Sequence, residues 1–302
     1  MSNLLIQPGT YGPSAIATGV WSEAETSDAL EAEVAEITLY TGWGWSGDDI
    51  EFLKNFPKLK CLRFLSWLFD KLEPIHWLHE LRHLQLTTRA NVEIRFQEFP
   101  YLHFCGLHWQ PGAASVFTSH WLKELIISEY LEEDADCFAG LASLELLRLK
   151  KARIRSLEPI GELHNMKILE LDYLSRVKSL SGLGRLLQLE ELELAGFNGF
   201  RSIEELRTLS RLRELTLCSC GNIDSLRPLL SLQELECLFI DGSTTIVDGD
   251  LNVLLEMPAL KIAMFPSRKH YSLKPRDLPL RLKGSKHFNP DGSWFVTLPA
   301  TA

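Results

Sequence analysis

Apolar residues recur along this chain in a short frame, L-x-x-L-x-L, and the frame itself recurs. Its first positions are Val34, Leu59, Leu81, Leu102, Leu122, Leu144, Met166, Leu189, Leu212, Leu235 and Leu260, at intervals of 25, 22, 21, 20, 22, 22, 23, 23, 23 and 25 residues. Within a frame apolar and variable positions alternate, as in Leu192-Glu193-Leu194 and Leu215-Thr216-Leu217. That is the period-two signature of a short strand with one buried face. No single copy can bury its apolar stripe, so neighbouring copies must stack to make the core. The pattern predicts an α/β solenoid whose parallel strands, about eleven of them at ~4.8 Å spacing, make a curved sheet roughly 50 Å long. Segments such as SIEELRTL and DLNVLLEM predict short helices or 3₁₀ turns on the convex side.

LEPI at 72–75 and 157–160 and LRPL at 226–229 follow their frames at similar distances. On these residues the chain resembles the leucine-rich repeat proteins, in particular the 22-residue class of the internalins and of the phosphatase regulator, over about residues 34–265. The resemblance implies a curved solenoid that binds proteins. The family commonly places Asn, sometimes Cys, three residues after the last strand leucine. Here that place holds Gly42, Trp67, Arg89, Gln110, Tyr130, Ala152, Leu174, Phe197, Cys220 and Ser243. The missing asparagine ladder predicts irregular turns.

Three regions follow. Residues 1–33, with Trp21 and the helix-like SDALEAEVAE, are expected to cap the N-terminal end. Residues 34–265 hold the repeats. Residues 266–302 are expected to close the other end as a flap or hairpin, with Trp294 and Phe295 over Phe239, Ile262 and Met264, or to form a basic tail. The formal charge is -9, but residues 266–302 carry seven Lys/Arg against two Asp, a balance of +5 that leaves -14 on the rest. An acidic body disfavours nucleic acid and anionic lipid. No apolar run is long enough to span a membrane and no secretory leader is evident, so a cytoplasmic monomer is expected. The six cysteines are thinly spread, which favours reduced thiols.

If the leucines point inward, the third, fifth and seventh places of each frame face outward on the concave side. There Glu191 neighbours Glu214, and Glu170 neighbours Glu193, pairs of like charge that a cationic partner would relieve. Arg148 beside Glu170, and Lys150 beside Asp172, offset part of the repulsion. Ile126, Leu146 and Ile168 form a small apolar island, with Tyr173 and Phe197 expected on the loops at its rim. Charge around an apolar centre with aromatic anchors is the make-up of an interface. The candidate partner-binding set is therefore Ile126, Leu146, Arg148, Ile168, Glu170, Asp172, Tyr173, Glu191, Glu193, Phe197 and Glu214.

Catalytic chemistry is thin. HWLH at 76–79 lacks companion ligands, the Cys218-x-Cys220 pair lacks a second pair, and GWGWSGDD at 42–49 lacks the Lys-Ser/Thr of a phosphate loop. The glutamate cluster sits on an open strand face where water is not excluded. The sequence thus predicts no catalytic, metal or cofactor residues. It points to a non-enzymatic binder of a basic protein, in one form an inhibitor or immunity protein. An effector-like repeat protein is the alternative and a carboxylate- or metal-dependent enzyme the remote one.

Overall fold

In each of the eleven repeat frames the strand begins at the third residue, where the alternation starts. The fold is seen in a computed structural model, which describes residues 3–67, 69–288 and 294–299, the side chain of Trp294 excepted. The chain forms two compact units, residues 1–130 with 140–144, and residues 131–139 with 145–302.

In the first unit β1 (Leu4–Pro8) runs antiparallel to β2 (Pro13–Ala17), and helix α1 (Glu23–Glu31) follows. Ser22 starts the helix with a reciprocal capping box. Its hydroxyl accepts from the Ala24 N–H, while the Glu25 carboxylate accepts from the Ser22 N–H. Five parallel strands come next: β3 (Glu36–Tyr40), β4 (Cys61–Leu65), β5 (His83–Thr87), β6 (Phe104–His108) and β7 (Glu124–Ser128). β2 joins their edge in parallel. Aromatic clusters supplement leucine in this core, with Trp45 against Phe64 and Phe69, and Trp109 against Phe117 and Tyr130.

The second unit adds β8 (Leu146–Lys150), β9 (Ile168–Asp172), β10 (Glu191–Ala195), β11 (Glu214–Cys218), β12 (Asn222–Ile223), β13 (Cys237–Asp241), β14 (Thr245–Ile246) and β15 (Ile262–Met264). β8, β9, β10, β11, β13 and β15 form one parallel sheet in that order, and β12 pairs with β14. The inward residues Leu147, Leu149, Leu169, Leu171, Leu192, Leu194, Leu215 and Leu217 are buried. Each such burial is worth about 1.5–3 kcal/mol.

Behind the sheet, apolar residues recur every third position: Leu157, Ile160 and Leu163; Leu180, Leu183 and Leu186; Ile203, Leu206 and Leu209; Leu226, Leu229 and Leu232. All are buried. A period of three matches the 3.0 residues per turn of a 3₁₀ helix. Such turns form at Ile160–Glu162, Leu183–Arg185, Glu204–Thr208 and Arg227–Ser231, and a one-turn helix α2 forms at Val253–Glu256.

The turns of the second unit correct the expectation of irregularity. The residue after each strand from β8 to β13 takes a left-handed conformation: Lys151 (φ 57°), Tyr173 (55°), Gly196 (70°), Ser219 (51°) and Gly242 (62°), leaving aside the two-residue β12. That reversal turns the next residue inward, so Ala152, Leu174, Phe197 and Cys220 fill the asparagine-ladder place as a buried stack. In the first unit the buried Gln110 does there what asparagine would, its Oε1 accepting from the Val92 N–H at 2.8 Å. All six cysteines are free, and burial pushes the Cys61, Cys220 and Cys237 thiols up to about 12.

The chain ends in a hairpin of β16 (Ser285–Phe288) and β17 (Trp294–Thr297). Lys283 bridges to Ile262, the Gly284 N–H donates to the Lys261 carbonyl, and Val296 packs on Cys237 and Ile262. The hairpin therefore lies over the outward third-place column of the last strands. Phe239 is half-buried against the same cluster, whereas Met264, expected under this segment, is 60% exposed. The Trp294 side chain lies outside the described residues.

Candidate protein-interaction face

The parallel register of the second unit assembles most of the predicted surface on one side of the sheet. Leu146 pairs with Ile168, Ile168 with Glu191, and Glu191 with Glu214. In the adjoining column Arg148 pairs with Glu170, Glu170 with Glu193, and Glu193 with Thr216. Arg148 Nε lies 2.7 Å from Glu170 Oε2. Asp172 stands between Lys150 and Ala195. Leu146 and Ile168 are half-buried, so the apolar island is shallow.

Glu193 is the electrostatic centre of this face. It has no ion pair among the described residues, and its carboxyl is held above the ordinary carboxylate range. Desolvation on the packed sheet is the largest cause, followed by the charges of Glu170, Asp172 and Glu214, with Lys150 opposing. Arg148, Glu170, Glu191, Glu193, Glu214 and Thr216 line a cleft of about 260 Å³ together with Lys286 and Phe288 of the terminal hairpin. Tyr173 marks the rim of this side at 62% exposure. Its ring lies where a Cβ on Gly196 would stand, 2.7 Å from Tyr173 Cδ1, so glycine at 196 serves both the positive φ and the ring's place.

Two members of the predicted set are placed otherwise. Phe197, expected as a rim anchor, is fully buried and meets Phe200 edge-on, because the left-handed Gly196 turns it into the core. Glu214, expected as a partner-facing carboxylate, is held by Lys286, and the two side chains are only 15% and 16% exposed. Ile126 belongs to the first unit, half-buried on β7 opposite Gly106. The sequence reading missed Lys286 and Phe288. The basic balance of residues 266–302 was the available signal, but nothing in it singled out these two.

The model of the R13L1/DRL21 leucine-rich repeats matches residues 175–243, the stretch that carries β10, β11 and β13 with their period-three turns. The chain has the leucine-rich repeat fold. Among curated proteins, none matches it in sequence. In structure it is similar to an internalin (inlF) from Listeria monocytogenes, with TM-score 0.60 and 17% identity over 82% of this chain and 78% of that one. A leucine-rich repeat protein of Leptospira interrogans gives TM-score 0.63 and 17% identity over 82% of this chain and 63% of the other. The functional domain of InlJ from Listeria monocytogenes, which includes a cysteine ladder, gives TM-score 0.51 and 14% identity over 78% of this chain and 58% of that one. The repeat protein thus spans less than two thirds of the Leptospira protein and of the InlJ domain. Among the described residues, no group of three or more His, Cys, Asp or Glu side chains is arranged to hold a metal ion, and no helix is long and apolar enough to cross a membrane.

Proposed function

We propose that this leucine-rich repeat protein is a non-enzymatic binding module that takes a basic partner protein on the outward sheet face of its second unit. The observation that carries the reading is Glu193, a carboxylate without an ion pair among the described residues, set among Glu170, Asp172 and Glu214 in a cleft with an aromatic edge. Bringing a Lys or Arg of a partner to Glu193 relieves like-charge repulsion worth up to about 1 kcal/mol per neighbour pair. Exposed Tyr173 supplies an anchor of the kind that carries binding energy, while the acidic lattice sets partner choice and association rate. In its finer form the protein acts in the cytoplasm as a monomer that sequesters or inhibits its partner, as an immunity protein does.

The test is affinity capture from native cytosol at low salt with wild type and Glu193→Lys, read by mass spectrometry. A basic protein retained by wild type and lost by the variant supports the reading; equal recovery of every protein by both overturns it. Because the Glu193 carboxyl titrates above its ordinary range and must be ionised to hold a cation, affinity for the partner falls as pH is lowered through that raised value.

A further inference from the structure

The cleft that holds Glu193 already has a basic visitor, supplied by the chain itself. Lys286, on the first strand of the terminal hairpin, reaches Glu214 across 72 residues of sequence. Its ammonium also stands 5.0 Å from the centre of the Phe288 ring, two residues along the same strand. Alternation puts Lys286, Phe288 and the cross-strand Val296 on one side of the hairpin, and Val296 packs on Cys237 and Ile262. Register makes Ile262, Cys237 and Glu214 successive members of one outward column, with Glu191 the next. The hairpin therefore covers that column from the last strand as far as Glu214 and stops beside Glu191 and Glu193.

This cover is lightly held. Each of its strands has four residues, and an isolated two-stranded hairpin is marginal in water. Phe288 and Phe295 are 66% and 44% exposed, so much of the hairpin's apolar surface contributes nothing to its seating. Its hold includes Val296, the backbone contacts at Lys283 and Gly284, and the ion pair. Glu214, by contrast, is 15% exposed and costly to leave without a cation. Whatever removes Lys286 from Glu214 must bring a positive charge of its own.

We propose that the β16–β17 hairpin is an intramolecular competitor on the partner-binding face, which a basic partner displaces by replacing Lys286 at Glu214. The inference rests on the proposed use of this face. It adds that the free protein is self-occluded, and that the displacing segment is extended and carries a cation with an aromatic residue two positions on, as Lys286 and Phe288 do. A tethered segment competes at an effective concentration of around a millimolar. Wild type therefore responds weakly to a free competitor.

The test uses the full chain and a fluorescein-labelled synthetic peptide with the sequence of residues 281–299. Anisotropy titrations compare wild type, Lys286→Met and Lys286→Met/Glu214→Gln, with circular dichroism to establish that each is folded. Hydrogen exchange over residues 285–297 is followed in the same samples. The expected result is binding at least about tenfold tighter to Lys286→Met than to wild type, loss of that gain in the double variant, and faster exchange of the hairpin in Lys286→Met. Equal affinities, no binding to any form, or unchanged exchange would overturn the proposal. A Glu193-dependent partner recovered alongside such a failure leaves the proposed function standing without self-occlusion. The expected peptide behaviour with no Glu193-dependent partner leaves self-occlusion standing and removes the function.

Discussion

At Phe197 and Tyr173, two aromatic residues of similar sequence setting have opposite work. Phe197 is buried in the turn stack, and truncation to alanine is expected to cost about 3–5 kcal/mol in urea unfolding without a specific effect on binding. Tyr173 is exposed beside the acidic columns, so Tyr173→Ala is expected to leave stability within about 1 kcal/mol of wild type and to weaken partner binding by a factor of ten or more. The reverse pattern would move the binding surface elsewhere. In the first unit His83 stacks on Phe104 at 3.9 Å between ring centres, with its Nε2 buried and without a hydrogen-bond partner among the described residues. Desolvation lowers its pKa to about 4, helped by Arg63 and opposed by Glu36. A base whose pKa is depressed in the fold lends stability that is present above its unfolded value and lost as pH falls through the folded one. The unfolded chain thus gains a proton near pH 6.5 that the folded one refuses until about 4, a loss on the order of 3 kcal/mol. His83→Phe should flatten this part of the pH dependence, and an unchanged slope would contradict the assignment.

At the scale of elements, the left-handed residue that follows β8, β9, β10, β11 and β13 is the device that makes repeats of unequal sequence turn alike. Ser219 adopts φ 51° without being glycine, at a conformational cost of roughly 1–2 kcal/mol. Ser219→Gly is expected to stabilise the chain by about 0.5–1 kcal/mol and Ser219→Val to destabilise it by about 1–2 kcal/mol, measured by denaturant unfolding. The strands themselves were legible because each is spelled by leucines alternating with variable residues, and a slip of one place would expose the whole apolar set. SIEELRTL was read as short helix or 3₁₀ turn, and the period-three spacing of its Ile203, Leu206 and Leu209, which decides for the 3₁₀ turn, is seen only in the fold. Phe197 was read as a loop residue at the rim, and nothing in the sequence shows that the left-handed turn at Gly196 points the next side chain into the core. The Lys286–Glu214 contact was not legible, since it joins distant residues and no periodicity links the hairpin to the column it covers.

For the molecule as a whole, charge serves adhesion between repeats and recognition in different ways. Ion pairs one repeat apart recur along the second unit, among them Lys167–Glu145, Arg201–Asp224, Arg213–Glu236 and Arg227–Asp250. Surface pairs of this kind contribute about 0–1 kcal/mol each and are screened by salt. Stability is therefore expected to change little between low salt and physiological ionic strength, because the leucine stack carries it, whereas association with a basic partner slows markedly over the same range. Stopped-flow association rates and unfolding free energies measured over one salt series would separate the two, and equal sensitivity would count against the acidic face as the docking surface. The most direct measurement is the dissociation constant of the captured partner for wild type, Glu193→Lys and Glu204→Lys. Glu204 lies on a 3₁₀ turn of the opposite layer, 60% exposed and paired with Arg207, so its reversal changes net charge by the same amount away from the sheet face. The account predicts affinity at least about tenfold weaker for Glu193→Lys and within about twofold of wild type for Glu204→Lys. Equal losses in both variants, or none in Glu193→Lys, would contradict it.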